Sequence, residues 1–351
     1  MHERLLKVYS DTKIYVHTPN GIATGGVELI HQLVSFLRDN GLDAYCILFG
    51  NGKHEIHSEY SKYNVIQGEE KDIIDSPSNI EVYTETMGKA LLSNHRSTQK
   101  FFWWLSVDNY YSGHKTYSMT LGDVFHWDKK EFKYLLKHYL KMLLRGKNEY
   151  KNKIALSDFR DRGIIFGYQS EYIHNHLTHR GITKIAPLMD YINTDYVTDV
   201  NIAKEREDIV LYNPNKGFEY TKRIIEYAPE IRWVALHGFT REQMIDTIRT
   251  AKVYIDFGNH PGKDRLPREC ALNGCCIITG KRGSAYFQQD VDIPKEYKFD
   301  EKRAKIENIV LKIKSTLENY SDATKDFEHY RKKIRNEKKE FEQQIRDLFN
   351  L

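Results

Sequence analysis

At 351 residues the chain is long for one core and comfortable for two, and with 40% hydrophobic residues, 24 tyrosines among them, it has the bulk to fill both. A formal net charge of +4, within 29% charged residues of both signs, suits a soluble protein that meets anions and is too small an excess for a nucleic-acid binder. No run approaches the roughly 20 apolar residues that span a bilayer, and MHERLLKVYSDTK lacks the apolar stretch of a signal peptide, so a cytoplasmic protein is expected.

In chain order, strand and helix signals alternate. KIYVHTP (13–19) has the β-branched and aromatic pattern of a strand; the turn GIATGG follows, then VELIHQLVSFLRDNG, whose Val27, Ile30, Leu33, Val34 and Leu37 recur at helical spacing. Further strands are expected at 44–50, 79–85, 100–107 and 163–170, the last feeding the helix EYIHNHLTHRG and the strand ITKIAPL. Residues 112–153 interrupt the rhythm with a basic helix. It carries Lys129, Lys133, Lys137, Lys141 and Arg145 at four-residue spacing beside several leucines. Such a stripe is either a solvated face or a surface for anionic lipid headgroups, which would place the protein on the inner face of a membrane. The alternation resumes with DIVLYNP (208–214), a helix from Lys216, IRWVALHG, a second helix, KVYIDFG and CCIIT. After Phe299 the chain is charged and helical. This order predicts an α/β protein of two doubly wound Rossmann-like domains facing a cleft, 1–190 and 191–322, followed by a charged helix over 323–351.

Cys46, Cys270, Cys275 and Cys276 form no C-x-x-C pair and read as small buried thiols. No metal-ligand constellation stands out, and Asp290-Val291-Asp292 lies too late, in a loop, to serve as a nucleotide-site D-x-D.

Three segments concentrate chemistry at strand ends. Gly25-Gly26 either shapes the turn before the first helix or lets a ligand approach the backbone at its N-terminus. Lys216-Gly217 follows a strand and opens a helix, where the lysine can neutralise a phosphate oxygen. HPGKDRLPRECALNGCCIITGKRG (260–283) gathers Lys263, Asp264, Arg265 and Arg268 around Glu269, which is expected to open a short apolar helix. Lys263 and Arg265 can bind phosphate and Glu269 a ribose diol; a loop of internal salt bridges is the plainer alternative. Downstream, the N–H groups around Gly280, Gly283 and Ser284 can form an anion nest. Asp108, after the strand KFFWWLSV, either caps the next turn or serves as a base; His17 and His126 are weaker candidates.

Together these segments resemble the GT-B glycosyltransferases, especially the bacterial group related to family 4. TGGVELIHQLVSFLRDNG is similar to their first glycine-rich loop and helix, YNPNKG to the strand that ends in a diphosphate-binding lysine, and PGKDRLPRECALNGCCIIT to their E-x7-E segment. The resemblance implies an N-terminal acceptor domain, a C-terminal nucleotide-sugar domain and transfer of a sugar to a glycan or lipid-linked acceptor in surface polysaccharide assembly. The nucleotide-diphosphate sugar would be a substrate, with no metal or other cofactor. By position, Glu269 would take the ribose, Lys216 the diphosphate, and Gly283 and Ser284 the sugar-phosphate end, with Asp108 facing the donor. The chain departs from the pattern at Pro261, which stands where the first glutamate is expected. A nucleotide-sugar epimerase of the same fold and a non-catalytic glycan-binding or partner subunit are the alternatives.

Overall fold

A computed structural model describes residues 5–50, 55–114, 156–160, 162–192 and 205–351. The expected basic helix, with Lys129, Lys133, Lys137, Lys141 and Arg145, and His126 lie outside these residues.

Near-continuous apolar strands need cover on both faces, and the described strands form two wholly parallel sheets that have it. The first sheet runs β3-β2-β1-β4-β5-β6-β7. Its strands are β1 (Lys13–Pro19), β2 (Asp43–Phe49), β3 (Gln67–Gly68), β4 (Ile80–Thr84), β5 (Gln99–Trp104), β6 (Ile165–Tyr168) and β7 (Ile185–Pro187). Alternation along the strands divides the core. Ile14, Val16, Ile80, Val82, Phe101 and Trp103 face the first helix, Gly25–Asp39, whereas Tyr83, Phe102, Trp104 and Phe166 meet helix Glu171–His179. The second sheet runs β12-β11-β10-β8-β9, from β8 (Glu207–Tyr212), β9 (Arg232–Ala235), β10 (Ala251–Asp256), β11 (Cys276–Gly280) and β12 (Lys298–Phe299). All four cysteines are buried and free.

The last helix, Glu328–Phe349, is shared. Tyr330 and Ile334 belong to the core of the second sheet; Phe341, Ile345, Leu348 and Phe349 complete that of the first. Asn350 Nδ2 then donates to the carbonyl of Leu6 at 3.0 Å, tying the end of this helix to the segment before β1.

One expected boundary moves. The helix near Glu269 begins at Arg265, not at Glu269, and runs to Leu272. Pro267 reads as a breaker in the sequence, yet it is the third helical residue, where the missing N–H has no intrahelical partner to lose. Glu269 therefore sits in the second turn.

Candidate active site between the two sheets

Both sheets present their carboxyl ends to one cleft of about 300 Å³, lined by Asp108 and Asn109 from one side and Lys216, Gly217, Asn259, Pro261 and Arg282 from the other. Each comes from the loop or helix that follows a central strand. Lys216 and Gly217 follow β8, Asn259 and Pro261 follow β10, Arg282 follows β11, and Asp108 and Asn109 open helix Val107–His114 after β5. This is where open α/β sheets bind ligands.

The loops that carry Lys216 and Asn259 touch. Gly217 has φ +62°, and a Cβ there would lie 2.4 Å from the Phe257 carbonyl oxygen. Glycine is thus required twice over, by conformation and by space. The contact fixes Lys216 at the cleft edge, where its Nζ donates to Asp264 at 2.8 Å. Behind Asp264 lies His260, fully buried, with Nδ1 3.6 Å from Asp264 and Nε2 3.4 Å from Asp256. Asp256 in turn accepts from the Tyr254 hydroxyl (2.7 Å) and the Gly258 N–H (2.9 Å). Burial pulls the imidazole pKa down, but the two carboxylates outweigh it and raise the value above the ordinary histidine range.

Asp256, His260 and Asp264 place three potential metal-ligand atoms within 4.8 Å of one another. The two ring nitrogens address different carboxylates, and Asp264 already holds the Lys216 cation.

Across the cleft, Asn259 Nδ2 donates to Asp108 Oδ2, and the Val107 N–H donates to the Pro261 carbonyl at 2.9 Å. Pro261 thus offers a backbone oxygen to the other unit at the position where an acidic side chain was expected. Beneath Asn109 lies Glu85, 2% exposed, which accepts from the Leu105 N–H at 3.1 Å and from the Asn109 side chain. Burial pushes its carboxyl up to about 7 against those hydrogen bonds.

The remaining expected residues are distributed unevenly. Lys216 and Asp108 line the cleft. Lys263 pairs with Glu337 of the last helix at 2.9 Å. Arg265 pairs with Glu28 of the first helix at 2.6 Å, and a Cβ on Gly25 would lie 2.9 Å from its Cδ, so Gly25 makes room for this arginine; Gly26 lies near Leu105. Burial opposes the charge on Glu28, but Arg265 holds its carboxyl at about 2. Glu269 is half-buried, and its carboxylate makes no hydrogen bond or ion pair among the described residues, while its backbone carbonyl accepts from Asn273. Burial raises its pKa despite Arg265 and Arg268 nearby. Gly283 is tucked against the His260 carbonyl with φ +57°, and that carbonyl accepts from the Ser284 N–H at 2.8 Å. Ser284 is buried, so the turn presents Arg282 to the cleft instead.

His17 is buried under Tyr83 and bound to Glu81 at 3.0 Å, a core role. Asp290 accepts from the N–H groups of Glu171 and Tyr172 at the start of a first-sheet helix, and Asp292 contacts Lys333, so neither faces the cleft. Asn109, Asn259 and Arg282 were not anticipated. The available signal for Arg282 was its position directly after a strand, in GKRG.

No family model matches the sequence, and no curated protein matches it. Solved structures do. Anabaena HepE, in complex with UDP and glucose, aligns over 96% of this chain and 99% of its own, with a TM-score of 0.62 at 10% identity. This chain has the GT-B fold. WaaG, a glycosyltransferase involved in lipopolysaccharide biosynthesis, shares the GT-B architecture over 95% of this chain and 99% of its own, with a TM-score of 0.54 at 10% identity. TarM aligns with 80% of this chain at a TM-score of 0.53 and 14% identity, and the match spans only 57% of TarM. In this GT-B molecule the cleft lies between the carboxyl ends of the two sheets. No helix among the described residues is long and apolar enough to cross a membrane.

Proposed function

We propose that the protein is a glycosyltransferase that moves a sugar from a nucleotide-diphosphate donor to a hydroxyl of a glycan or lipid-linked acceptor. The observation that carries this reading is the composition of the cleft. Cations Lys216 and Arg282 stand on the second-sheet side and the carboxylate Asp108 on the first-sheet side. The bond from the anomeric carbon to the diphosphate oxygen breaks as the bond to the acceptor oxygen forms. Lys216 and Arg282 stabilise the charge that grows on the diphosphate, and Asp108 orients the acceptor hydroxyl and takes its proton. Glu269, unpartnered and half-buried among arginines, is the carboxylate available to a ribose diol.

Two fixed cations at the leaving group make a resident metal unnecessary in this scheme, so turnover is expected to survive chelation by EDTA. HepE's complex with UDP and glucose, together with the role of WaaG, supports a nucleoside diphosphate sugar and bacterial surface polysaccharide assembly.

A screen of UDP, GDP and TDP sugars by thermal shift, with CMP sugars, which carry no diphosphate, as a contrast, tests the reading, since a ligand that binds only the folded protein raises its melting temperature. Lys216→Ala is expected to weaken binding of the responding donor by about tenfold or more, because it removes a charge-assisted contact. A protein that responds to no nucleotide sugar would sink the proposal.

A further inference from the structure

Lys216 faces the cleft with a carboxylate already on it, which poses an electrostatic question. An Asp264–Lys216 pair alone is neutral, but Asp256 behind it adds a buried negative charge. Only His260 stands between the two carboxylates, and its charge state decides the sum. With an imidazolium, two anions and two cations cancel. With a neutral imidazole, the group carries one net negative charge directly behind the residue meant to hold a diphosphate.

We propose that His260 is a positioning residue for donor binding: as an imidazolium bridging Asp256 and Asp264, it shares the Asp264 charge and leaves Lys216 able to engage an anionic diphosphate. This rests on the nucleotide-sugar reading and adds to it the residue that governs the strength of the lysine contact.

Several observations support the assignment. His260 is fully buried, so it cannot touch substrate itself. Neither ring nitrogen makes a short hydrogen bond, and each lies at ion-pair distance from a different carboxylate. The charged groups that act on it come from three places: Asp256 from β10, itself hydrogen-bonded by Tyr254, Asp264 from the loop before helix Arg265–Leu272, and Lys216 from the loop after β8. Its backbone is fixed separately by the Ser284 N–H, so the side chain's role can be tested without dismantling the turn. The carboxylates outweigh both burial and Lys216 and raise its pKa. The imidazolium therefore persists to higher pH than in an ordinary histidine and is lost as pH rises through the raised value. Affinity for an anion should follow it, high on the acidic side and low on the alkaline side.

The test uses UDP-glucose and GDP-mannose, whose diphosphate diester charge does not titrate in this range, and calorimetry on the full chain from mildly acidic to mildly alkaline pH. Wild-type affinity for the donor that binds is expected to fall about tenfold across the His260 titration, the size of one unit charge acting at roughly 12 Å through an effective dielectric constant of about 20. His260→Gln should bind weakly at every pH, with a flat profile matching the alkaline wild type. His260→Gln combined with Asp264→Asn should regain the lost affinity, because removing one negative charge substitutes for the missing positive one; the flat pH profile of His260→Gln is what a merely structural histidine would not give. A wild-type profile retained in His260→Gln, or a double variant no tighter than the single, would overturn the role of His260. Should His260→Gln not fold, Asp264→Asn alone decides: it must bind more tightly than wild type at alkaline pH, and weaker binding refutes the charge argument. A wild type that binds neither of these donors nor any other nucleotide sugar would overturn the nucleotide-sugar reading and this proposal with it.

Discussion

Asp108 and Asn259 reach each other from opposite sides of the cleft, so the proposed base is held by a residue of the second-sheet side. In the proposed reaction, an acceptor hydroxyl that enters beside Asp108 meets a carboxylate oriented by Asn259 of the second-sheet unit. Asp108→Asn keeps the size and one acceptor oxygen but removes the proton-accepting charge. It is expected to lower kcat by about a hundredfold or more, with nucleotide-sugar affinity nearly unchanged. Equal losses in kcat and affinity would mean that Asp108 shapes the cleft and does not take a proton.

At the scale of the elements, Glu85 ties the end of β4 to the end of β5 through the Leu105 N–H. Its pKa is raised to about 7 in the folded protein, above the ordinary glutamate value. The folded state therefore binds the proton more tightly, and stability falls as pH rises from the unfolded value through the folded one. Glu85→Gln removes that penalty. Its urea midpoint should equal or trail that of wild type at acidic pH and exceed it above neutrality, by up to about 3 kcal/mol in unfolding free energy. A difference that does not change with pH would contradict the assignment.

The long strands were legible because apolar runs of β-branched and aromatic residues bounded by turns have few other structural uses. The two-residue strands β3 and β12 carry no pattern to detect. Lys216 was legible from its place between a strand and a helix-opening glycine. Lys263 and Arg265 show the limit. A cation at a strand end looks the same in sequence whether its partner is a phosphate or a distant carboxylate, and here the partners are Glu337 and Glu28. Asn109 and Asn259 are single polar residues far apart in the chain, and only the juxtaposition of the sheets makes them neighbours.

For the whole molecule, charge pairs hold the sheets together. Arg268 is fully buried and reaches Asp190 and Glu337, each at 2.7 Å. Burial works against its charge, but both carboxylates raise its pKa, and Arg268 with Lys263 and Arg265 keeps Asp190 low in spite of burial. Arg268→Met would leave two buried carboxylates short of a partner. A loss of about 3–5 kcal/mol is expected in chemical denaturation, the usual cost of removing one member of a buried ion pair. An effect below about 1 kcal/mol, as for exposed pairs, would show that water reaches this junction.

The closing turns of the last helix have a consequence for how the molecule is made. Phe341, Ile345, Leu348 and Phe349 finish a core whose other members, Leu6 to Leu188, are synthesised earlier, with the entire second sheet in between. On a ribosome the first sheet must wait with an apolar groove uncovered while the second, contiguous in sequence, is free to close early. The later half of the chain is thus expected to fold first, and an interruption of synthesis before residue 341 should yield a product that aggregates through its N-terminal half.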